Sequence, residues 1–261
     1  MNHTQIQNRL SAVLANQKNI LNIYFTAGFP QLNDTVTIIK LLQKAGADMI
    51  EIGIPFSDPL ADGETIQKSG QQAIDNGMTL KTLFAQLQDI RKEVHIPLLL
   101  MGYLNTVLQF GVEKFCQKCQ EVGIDGIILP DLPMNEYLEE YHPLFEKYNL
   151  SNVFLITPQT STQRIRQIDE VASGFIYMVS TASTTGTKQG TSTSQIPYFE
   201  RVKAMNLQTP TLIGFGISDK QSFEVANKYA NGAIIGSAFI RVLAQSTDLE
   251  KDIEHFVRSI K

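Results

Sequence analysis

Two carboxylates lie close together in residues 51–63, whose sequence is EIGIPFSDPLADG. Glu51 stands in an apolar run at residues 49–54, and such a run between turn signals predicts a short buried strand. A buried charge is costly unless it is paired or its pKa rises, and no Lys or Arg lies nearby in the sequence. Asp62 follows in the next loop. Because two carboxylates at such positions suit acid–base chemistry, we predict a functional role for Glu51.

The other acidic residues of this segment also have structural interpretations. Asp58 precedes Pro59, and an Asp-Pro pair is typical of a turn. Asp62 stands just before a helical pattern that begins near Glu64, so it either caps that helix or takes part in the chemistry. Spacing alone leaves both roles open for Asp62.

Glycine-rich turns in the last part of the chain suggest a site for an anion. Gly214-Phe215-Gly216 forms one turn, and Gly236-Ser237 opens a helical pattern. Glycines let backbone N–H groups approach a phosphate closely, and the positive end of a helix attracts it. The glycines could be ordinary turn residues and Ser237 an ordinary cap, but their occurrence in consecutive loops favours phosphate binding.

These residues need a fold that brings them to one face. Apolar runs alternate with helical periodicity, and three junctions (KAGADMIEIG, EVGIDGIIL and YANGAIIGS) each combine a helix stop with a buried strand. Eight strands, each followed by helix, predict a closed parallel (β/α)8 TIM barrel with an extra N-terminal helix. No linker is evident, so residues 1–261 are predicted to form one domain. An open doubly wound sheet is the alternative, but it lacks the Gly-x-Gly-x-x-Gly turn after the first strand.

The boundaries of the elements follow from the same pattern. The predicted strands are 20–25, 49–53, 97–101, a segment within 123–131, 152–156, 175–179, 211–214 and 233–235. The predicted helices are about 1–16, 33–45, 64–76, 79–93, 111–122, 134–148, 161–171, 195–205, 219–230 and from 236 to the end.

The chemistry of such a barrel lies on the loops at the carboxyl ends of the strands, where all the candidate residues fall. The long polar loop at 180–194 predicts a mobile lid over this face. No Lys lies on a predicted strand, which disfavours a Schiff base, and no His or carboxylate cluster has metal-ligand spacing. The type of reaction that remains is proton transfer by carboxylates to and from a phosphorylated substrate.

Composition narrows the class of protein further. The 261 residues are 43% hydrophobic with a net charge of −4, which allows a large core and indicates no nucleic-acid surface. No apolar run reaches membrane-spanning length and the N-terminus is too polar for a secretory signal, so we expect a cytoplasmic location. Cys116 and Cys119 form a C-x-x-C pair but share an apolar helical stripe, so we predict core packing rather than redox or metal chemistry.

The segment EIGIPFSDPLADG closely resembles the signature of the tryptophan synthase alpha subunit family. The match continues at residues 65–67, 129–133, 214–218 and 236–238 and covers essentially the whole chain. The resemblance implies a barrel lyase that cleaves indole-3-glycerol phosphate to indole and glyceraldehyde 3-phosphate in tryptophan biosynthesis. It also implies a partner, a pyridoxal-phosphate-dependent beta subunit in an alpha2beta2 complex, and no cofactor in this chain.

The resemblance also assigns roles to individual residues. Glu51 matches the acid–base group that protonates C3 of the indole and serves the glycerol hydroxyl, and Asp62 matches the group that holds the ring N–H. The phosphate is assigned to Gly186, Gly216, Gly236 and Ser237. The other substrate contacts are assigned to Tyr24, Ile66, Leu129, Tyr177, Thr185, Phe215 and Ile234.

The chain departs from the usual pattern of the family at a few positions. Phe29 precedes Pro30 where Asp is usual, Glu64 replaces a usual Pro, and Thr184 stands where Val is common. These changes bear on lid movement and beta-subunit specificity more than on the reaction. Two other functions stay open: a different phosphosugar barrel enzyme such as an isomerase, and a weakly catalytic subunit that mainly activates a partner.

Overall fold

A computed structural model describes residues 6–59, 62–180, 195–214 and 216–261. Eight parallel strands, β1 to β8, pair in sequence order and close into a barrel, because β1 also pairs with β8. The strands are β1 Ile20–Thr26, β2 Met49–Gly53, β3 Leu98–Met101, β4 Gly126–Ile128, β5 Ser151–Ile156, β6 Ile176–Val179, β7 Thr211–Gly214 and β8 Gly232–Ile235. The predicted (β/α)8 barrel is confirmed, with every strand at the position that its apolar run indicated.

Helices alternate with the strands around the outside of the barrel. They are α1 Arg9–Asn16, α2 Asp34–Ala45, α3 Glu64–Asp75, α4 Leu80–Leu87, α5 Leu104–Phe110, α6 Val112–Val122, α7 Met134–Glu136, α8 His142–Lys147, α9 Thr162–Val171, α10 Ile196–Ala204, α11 Lys220–Asn227, α12 Ser237–Gln245 and α13 Leu249–Ile260. Within the described ranges, no helix is long and apolar enough to cross a membrane.

Several predicted helices differ from the observed ones. The helix predicted at 79–93 ends at Leu87 and is followed by a 3₁₀ turn, Ile90–Lys92. The helix predicted at 134–148 is interrupted by a π-helical turn, Tyr137–Tyr141, just before Pro143. Proline has no N–H and its ring clashes with the carbonyl four residues earlier, so a regular α-helix cannot continue through it.

The chain ends also differ from the prediction. The single C-terminal helix is two helices, because Asp248 accepts a hydrogen bond from the backbone of Lys251 and so starts α13 as its N-cap. The N-terminal helix begins at Arg9, where Asn8 and Ser11 form a reciprocal capping box. The prediction missed α5 altogether.

Successive residues of each strand point alternately into the barrel and out toward the helices. The outward residues pack under the helices in one large core cluster. The inward residues form the interior cluster, which Leu10 and Leu14 of α1 close at the amino-terminal end of the barrel. Its other buried members are Ile20, Met49, Leu99, Ile128, Val153, Phe175, Tyr177, Val179, Leu212 and Ile234.

The register of β1 and β2 brings polar side chains into this apolar interior. Tyr24 pairs with Glu51 and Asn22 pairs with Met49 across the two strands. Asn22 is two residues from Ile20 and Glu51 is two residues from Met49, so both share the inward face of their strands. The barrel therefore holds a carboxyl and an amide inside its core.

The two cysteines lie on α6 and pack into the hydrophobic core, as predicted. Cys116 and Cys119 are both fully buried free thiols. Burial raises the pKa of Cys116 to about 12 and that of Cys119 well above its usual value. Because the thiolate is the reactive form of cysteine, these thiols are suited to packing and not to redox chemistry.

Candidate active site

Glu51 is the central residue of β2 and is completely buried. Asn22 Nδ2 donates a hydrogen bond to its Oε1 at 2.6 Å, and the described residues provide no ion pair for it. Burial raises the pKa of Glu51 to about 8, although the bond from Asn22 lowers it in part. A carboxyl with this pKa is protonated at neutral pH, so Glu51 can serve as a proton donor.

Asp62 lies in the loop between β2 and α3 and is half-buried. Its Oδ2 accepts a hydrogen bond from the Tyr103 hydroxyl at 3.2 Å. Burial raises the pKa of Asp62 to about 6, and the bond from Tyr103 opposes that rise. The N-cap of α3 is Gly63, with no side-chain cap, so the alternative in which Asp62 caps this helix is wrong.

Two buried tyrosines, Tyr24 and Tyr177, lie near both carboxyls. Burial raises the pKa of both the Tyr24 and the Tyr177 phenol, and the charges of Glu51 and Asp62 raise them further. Charges influence a buried group in this way only over short distances, so the four side chains lie near one another. The structure therefore brings together four of the predicted site residues from β1, β2, β6 and the loop after β2.

Two glycines make room for these phenol rings. A Cβ atom at Gly53 would overlap the hydroxyl of Tyr24, and a Cβ atom at Gly214 would overlap that of Tyr177. The hydroxyls therefore lie directly against the backbone at the ends of β2 and β7. This close approach explains why each strand ends in glycine.

Of the predicted phosphate residues, the structure describes Gly216, Gly236 and Ser237, which follow the carboxyl ends of β7 and β8. Gly216 has a φ of +77°, a left-handed conformation that favours glycine, and a Cβ added there would lie 3.8 Å from Ser180 Oγ. Gly236 is the N-cap of α12, whose first turn has no acidic residue and no side-chain cap. A Cβ at Gly236 would lie 3.3 Å from Cδ1 of Tyr24, so this helix end adjoins the Tyr24 ring.

The remaining assigned residues fall in three places. Ile234 is buried in the interior cluster with Tyr177. Ile66 packs against the outer core, and Leu129 lines a cavity of about 340 Å³ beside the ends of β4 and β5. Thr185, Gly186 and Phe215 lie outside the described residues. Their contacts with a substrate stay predictions.

Sequence reasoning missed two polar residues of the site, Asn22 and Tyr103. Asn22 interrupts the otherwise apolar run ILNIYF, which is the same signal that drew attention to Glu51. Tyr103 lies two residues after the end of β3, stacks on Phe56 with ring centroids 5.0 Å apart, and donates a hydrogen bond to Asp62. Nothing in the spacing of Tyr103 and Asp62 shows that they meet, because 41 residues separate them.

The fold and the site together define a (β/α)8-barrel protein with a buried carboxyl, Glu51, on β2 and a second carboxyl, Asp62, in the loop that follows β2. Comparison of the sequence gives the class a name. Residues 10–260 match the family described as tryptophan synthase alpha chain. The curated tryptophan synthase alpha chain of Flavobacterium johnsoniae is 59% identical over 254 residues, which are 97% of this chain and 100% of that protein. That of Christiangramia forsetii is 54% identical over 97% of this chain and 98% of that protein.

Solved structures agree with the sequence comparison. Tryptophan synthase subunit alpha from Legionella pneumophila superposes with a TM-score of 0.85 at 32% identity and covers 97% of both chains. A chain of tryptophan synthase from M. tuberculosis superposes with a TM-score of 0.83 at 27% identity, covering 97% of this chain and 98% of its own.

The chain therefore belongs to the tryptophan synthase alpha chain family. It is a carbon–carbon lyase of tryptophan biosynthesis, and its alpha reaction cleaves indole-3-glycerol phosphate to indole and glyceraldehyde 3-phosphate. Membership of this family implies a beta-subunit partner.

Proposed function

We propose that Glu51 carries the proton that this cleavage moves from oxygen to carbon. The neutral Glu51 carboxyl protonates C3 of the indole ring, which turns the ring into an indoleninium cation. The bond between C3 and the glycerol chain then breaks, its electron pair returns to the ring, and the glycerol hydroxyl becomes the aldehyde. The resulting Glu51 carboxylate takes the hydroxyl proton and is ready for another turnover. The observation that carries this role is the complete burial of Glu51 with only an amide as its partner among the described residues.

We infer that Asp62 provides the negative charge that the protonated ring requires. Its pKa of about 6 leaves it ionised at neutral pH, while Glu51 is neutral. A carboxylate at the ring N–H stabilises the positive charge that develops there, which is worth more in a site shielded from water. The different pKa values of the two groups support an assignment of Glu51 as acid and Asp62 as electrostatic stabiliser.

The phosphate is proposed to bind at the start of α12. The Gly216 turn and the Gly236-Ser237 helix start offer backbone N–H groups and a positive helix end, and Gly186 is proposed to join them. The closeness of Gly236 to Tyr24 supports a substrate that spans from the phosphate to Glu51. The indole is proposed to lie against Tyr24, Tyr177 and the other assigned contacts, which are Ile66, Leu129, Phe215 and Ile234, with Thr185 contacting the loop of Asp62.

We also propose an assembly and a location for the chain. Residues 1–261 form one domain and bind a beta subunit in an alpha2beta2 complex in the cytoplasm. Pyridoxal phosphate belongs to the beta partner, and the acid–base chemistry proposed for Glu51 and Asp62 needs no cofactor in this chain.

The test is the release of indole from indole-3-glycerol phosphate by the purified chain, with and without a beta subunit. Glu51→Gln keeps the shape of the side chain but cannot exchange a proton, so its rate should fall at least 100-fold. A variant that keeps more than about a tenth of the wild-type rate would refute the role of Glu51. No turnover of indole-3-glycerol phosphate would favour the isomerase alternative, and indole release only at trace rates in both assays would favour the activator alternative.

A further inference from the structure

The carboxyl of Glu51 is held by a side chain outside the set of predicted site residues. Asn22 lies on β1, two residues before Tyr24, and enters the same barrel interior. Its Nδ2 lies 2.6 Å from Glu51 Oε1, and both residues are fully buried. Among the residues that the structure describes, Glu51 Oε2 and Asn22 Oδ1 have no hydrogen-bond partner. The carboxyl is thus bound at one oxygen and open at the other.

We propose that Asn22 is a positioning residue of the alpha reaction, because its amide holds Oε1 of Glu51 and leaves Oε2 to carry the transferred proton. This inference rests on the acid–base role proposed for Glu51. A neutral carboxyl has one oxygen that only accepts and one that bears the proton, and an N–H donor pairs with the accepting oxygen. The bond therefore selects which oxygen is protonated.

The same bond restricts the orientation of the Glu51 carboxyl. The terminal torsion of a glutamate is broad, so a carboxyl without a partner turns readily between its two oxygens. Proton transfer to carbon needs the acidic oxygen to stay within reach of C3, and misplacement of a reacting group lowers the rate strongly. With Oε1 fixed, Oε2 gives its proton to C3 and later receives the proton of the glycerol hydroxyl.

The hydrogen bond from Asn22 also lowers the pKa of Glu51. In the part of the chain that the structure describes, the ionisable groups near Glu51 are Tyr24 from β1, Tyr177 from β6 and Asp62 from the loop before α3. Both phenols have a raised pKa and stay neutral, so Asp62 and Glu51 are the groups that titrate near neutrality. An N–H donor stabilises a carboxylate more than a neutral carboxyl, so loss of Asn22 should raise the pKa of Glu51.

Three variants test the proposal through the rate of indole release and its pH dependence. Asn22→Leu removes the amide at nearly constant size, and we expect kcat to fall about 10- to 100-fold with little change in KM. The alkaline limb of its pH–rate profile, where Glu51 loses its proton, should move to higher pH by about one unit. Asn22→Asp keeps the shape but removes the donor, and two adjacent carboxyls that share a proton should move this limb further up.

Asn152→Leu is the matched control. Asn152 is another buried asparagine of the barrel wall, 2% exposed, but it faces away from the interior because its neighbour Val153 points inward. This variant should keep the wild-type kcat and pH profile. Thermal unfolding of each variant shows whether the barrel is intact.

A folded Asn22→Leu variant with the wild-type kcat and alkaline limb would overturn the proposal, and so would a limb that moves to lower pH. If Asn22→Leu does not fold, Asn22→Asp decides by the same criteria. The acid–base role of Glu51 itself would fail if Glu51→Gln released indole at more than about a tenth of the wild-type rate, whatever the Asn22 variants do. An active wild type, an inactive Glu51→Gln and unaffected Asn22 variants would reject the role of Asn22 alone.

Discussion

The pH dependence of kcat/KM tests the assignment of the two carboxyls most directly. The mechanism proposed above needs Glu51 protonated and Asp62 ionised in the free enzyme. Burial raises the pKa of Glu51 to about 8 and that of Asp62 to about 6, so the active combination exists between these values. We expect a bell-shaped profile with its maximum near pH 7.

The size of the effect follows from the two titrations. At pH 7 about nine-tenths of each group is in the active form, so about four-fifths of the enzyme is competent. At pH 5 only about a tenth of Asp62 is ionised, and at pH 9 only about a tenth of Glu51 is protonated. The value of kcat/KM should therefore fall about ninefold at pH 5 and at pH 9 relative to pH 7.

The assay is initial indole release at substrate concentrations well below KM from pH 4.5 to pH 10. In the pH profile of Asp62→Asn, the acidic limb should be absent and the alkaline limb should stay at the same pH, although the rate is lower throughout. This result would assign the acidic limb to Asp62 and the alkaline limb to Glu51. A profile that rises from pH 7 to pH 9 would mean that Glu51 acts first as a base, and the proposed order of proton transfers would be wrong. The thermal stability of the chain across the same range controls for unfolding.

Three further predictions concern single side chains. Asp62→Asn and Asp62→Ala should both lower kcat about 100-fold or more, because the charge and not the shape is required; an Asn variant close to wild type would contradict this. Gly236→Ala should raise KM for indole-3-glycerol phosphate at least severalfold with little change in kcat, since the methyl group crowds Tyr24 and the phosphate approach; an unchanged KM would place the phosphate elsewhere. Between the usual pKa of 4.5 and about 8, Glu51 is protonated in the folded wild type and ionised in the unfolded chain. The free energy of unfolding of the wild type therefore falls as the pH rises through this window. The amide that Glu51→Gln introduces does not titrate, so the free energy of unfolding of this variant minus that of the wild type, measured in urea, should increase by about 1.4 kcal/mol per pH unit between about pH 5 and pH 8. A difference that does not change with pH would refute the raised pKa.

The sequence predicts the barrel well because the signals for its strands are local. Each strand is an apolar run of a few residues that follows a helix stop, such as Gly46 before β2 and Gly123 before β4, and both glycines adopt left-handed conformations. Helix interruptions are harder to place. The π-helical turn before Pro143 depends on how the chain accommodates a missing N–H, and the start of α5 is fixed by Asp131, whose carboxylate accepts a hydrogen bond from the backbone of Leu104.

The candidate site shows the same division between local and distant signals. Glu51 can be predicted because a charge in an apolar strand is visible in the sequence itself. Its partner Asn22 lies 29 residues away, and only the register of β1 and β2 brings the two together. Tyr103 meets Asp62 across two loops of the barrel, a contact that depends on how each loop folds. The chemistry of a residue can thus be inferred from its type, whereas its tuning depends on neighbours that the fold supplies.

The depth of burial is what gives two carboxyls opposite proton states at the same pH. Glu51 lies on a strand inside the barrel and is completely buried, whereas Asp62 lies on a loop and is half-buried beside a tyrosine hydroxyl. If Glu51 were as exposed as Asp62, it would be ionised at neutral pH and could not protonate carbon. If Asp62 were as deep as Glu51, it would be neutral and could not stabilise a cation. Tyr24 and Tyr177 are buried and lie against Gly53 and Gly214, so we infer that they exclude water from Glu51 and keep it protonated. We expect a smaller side chain at either position to lower the pKa of Glu51.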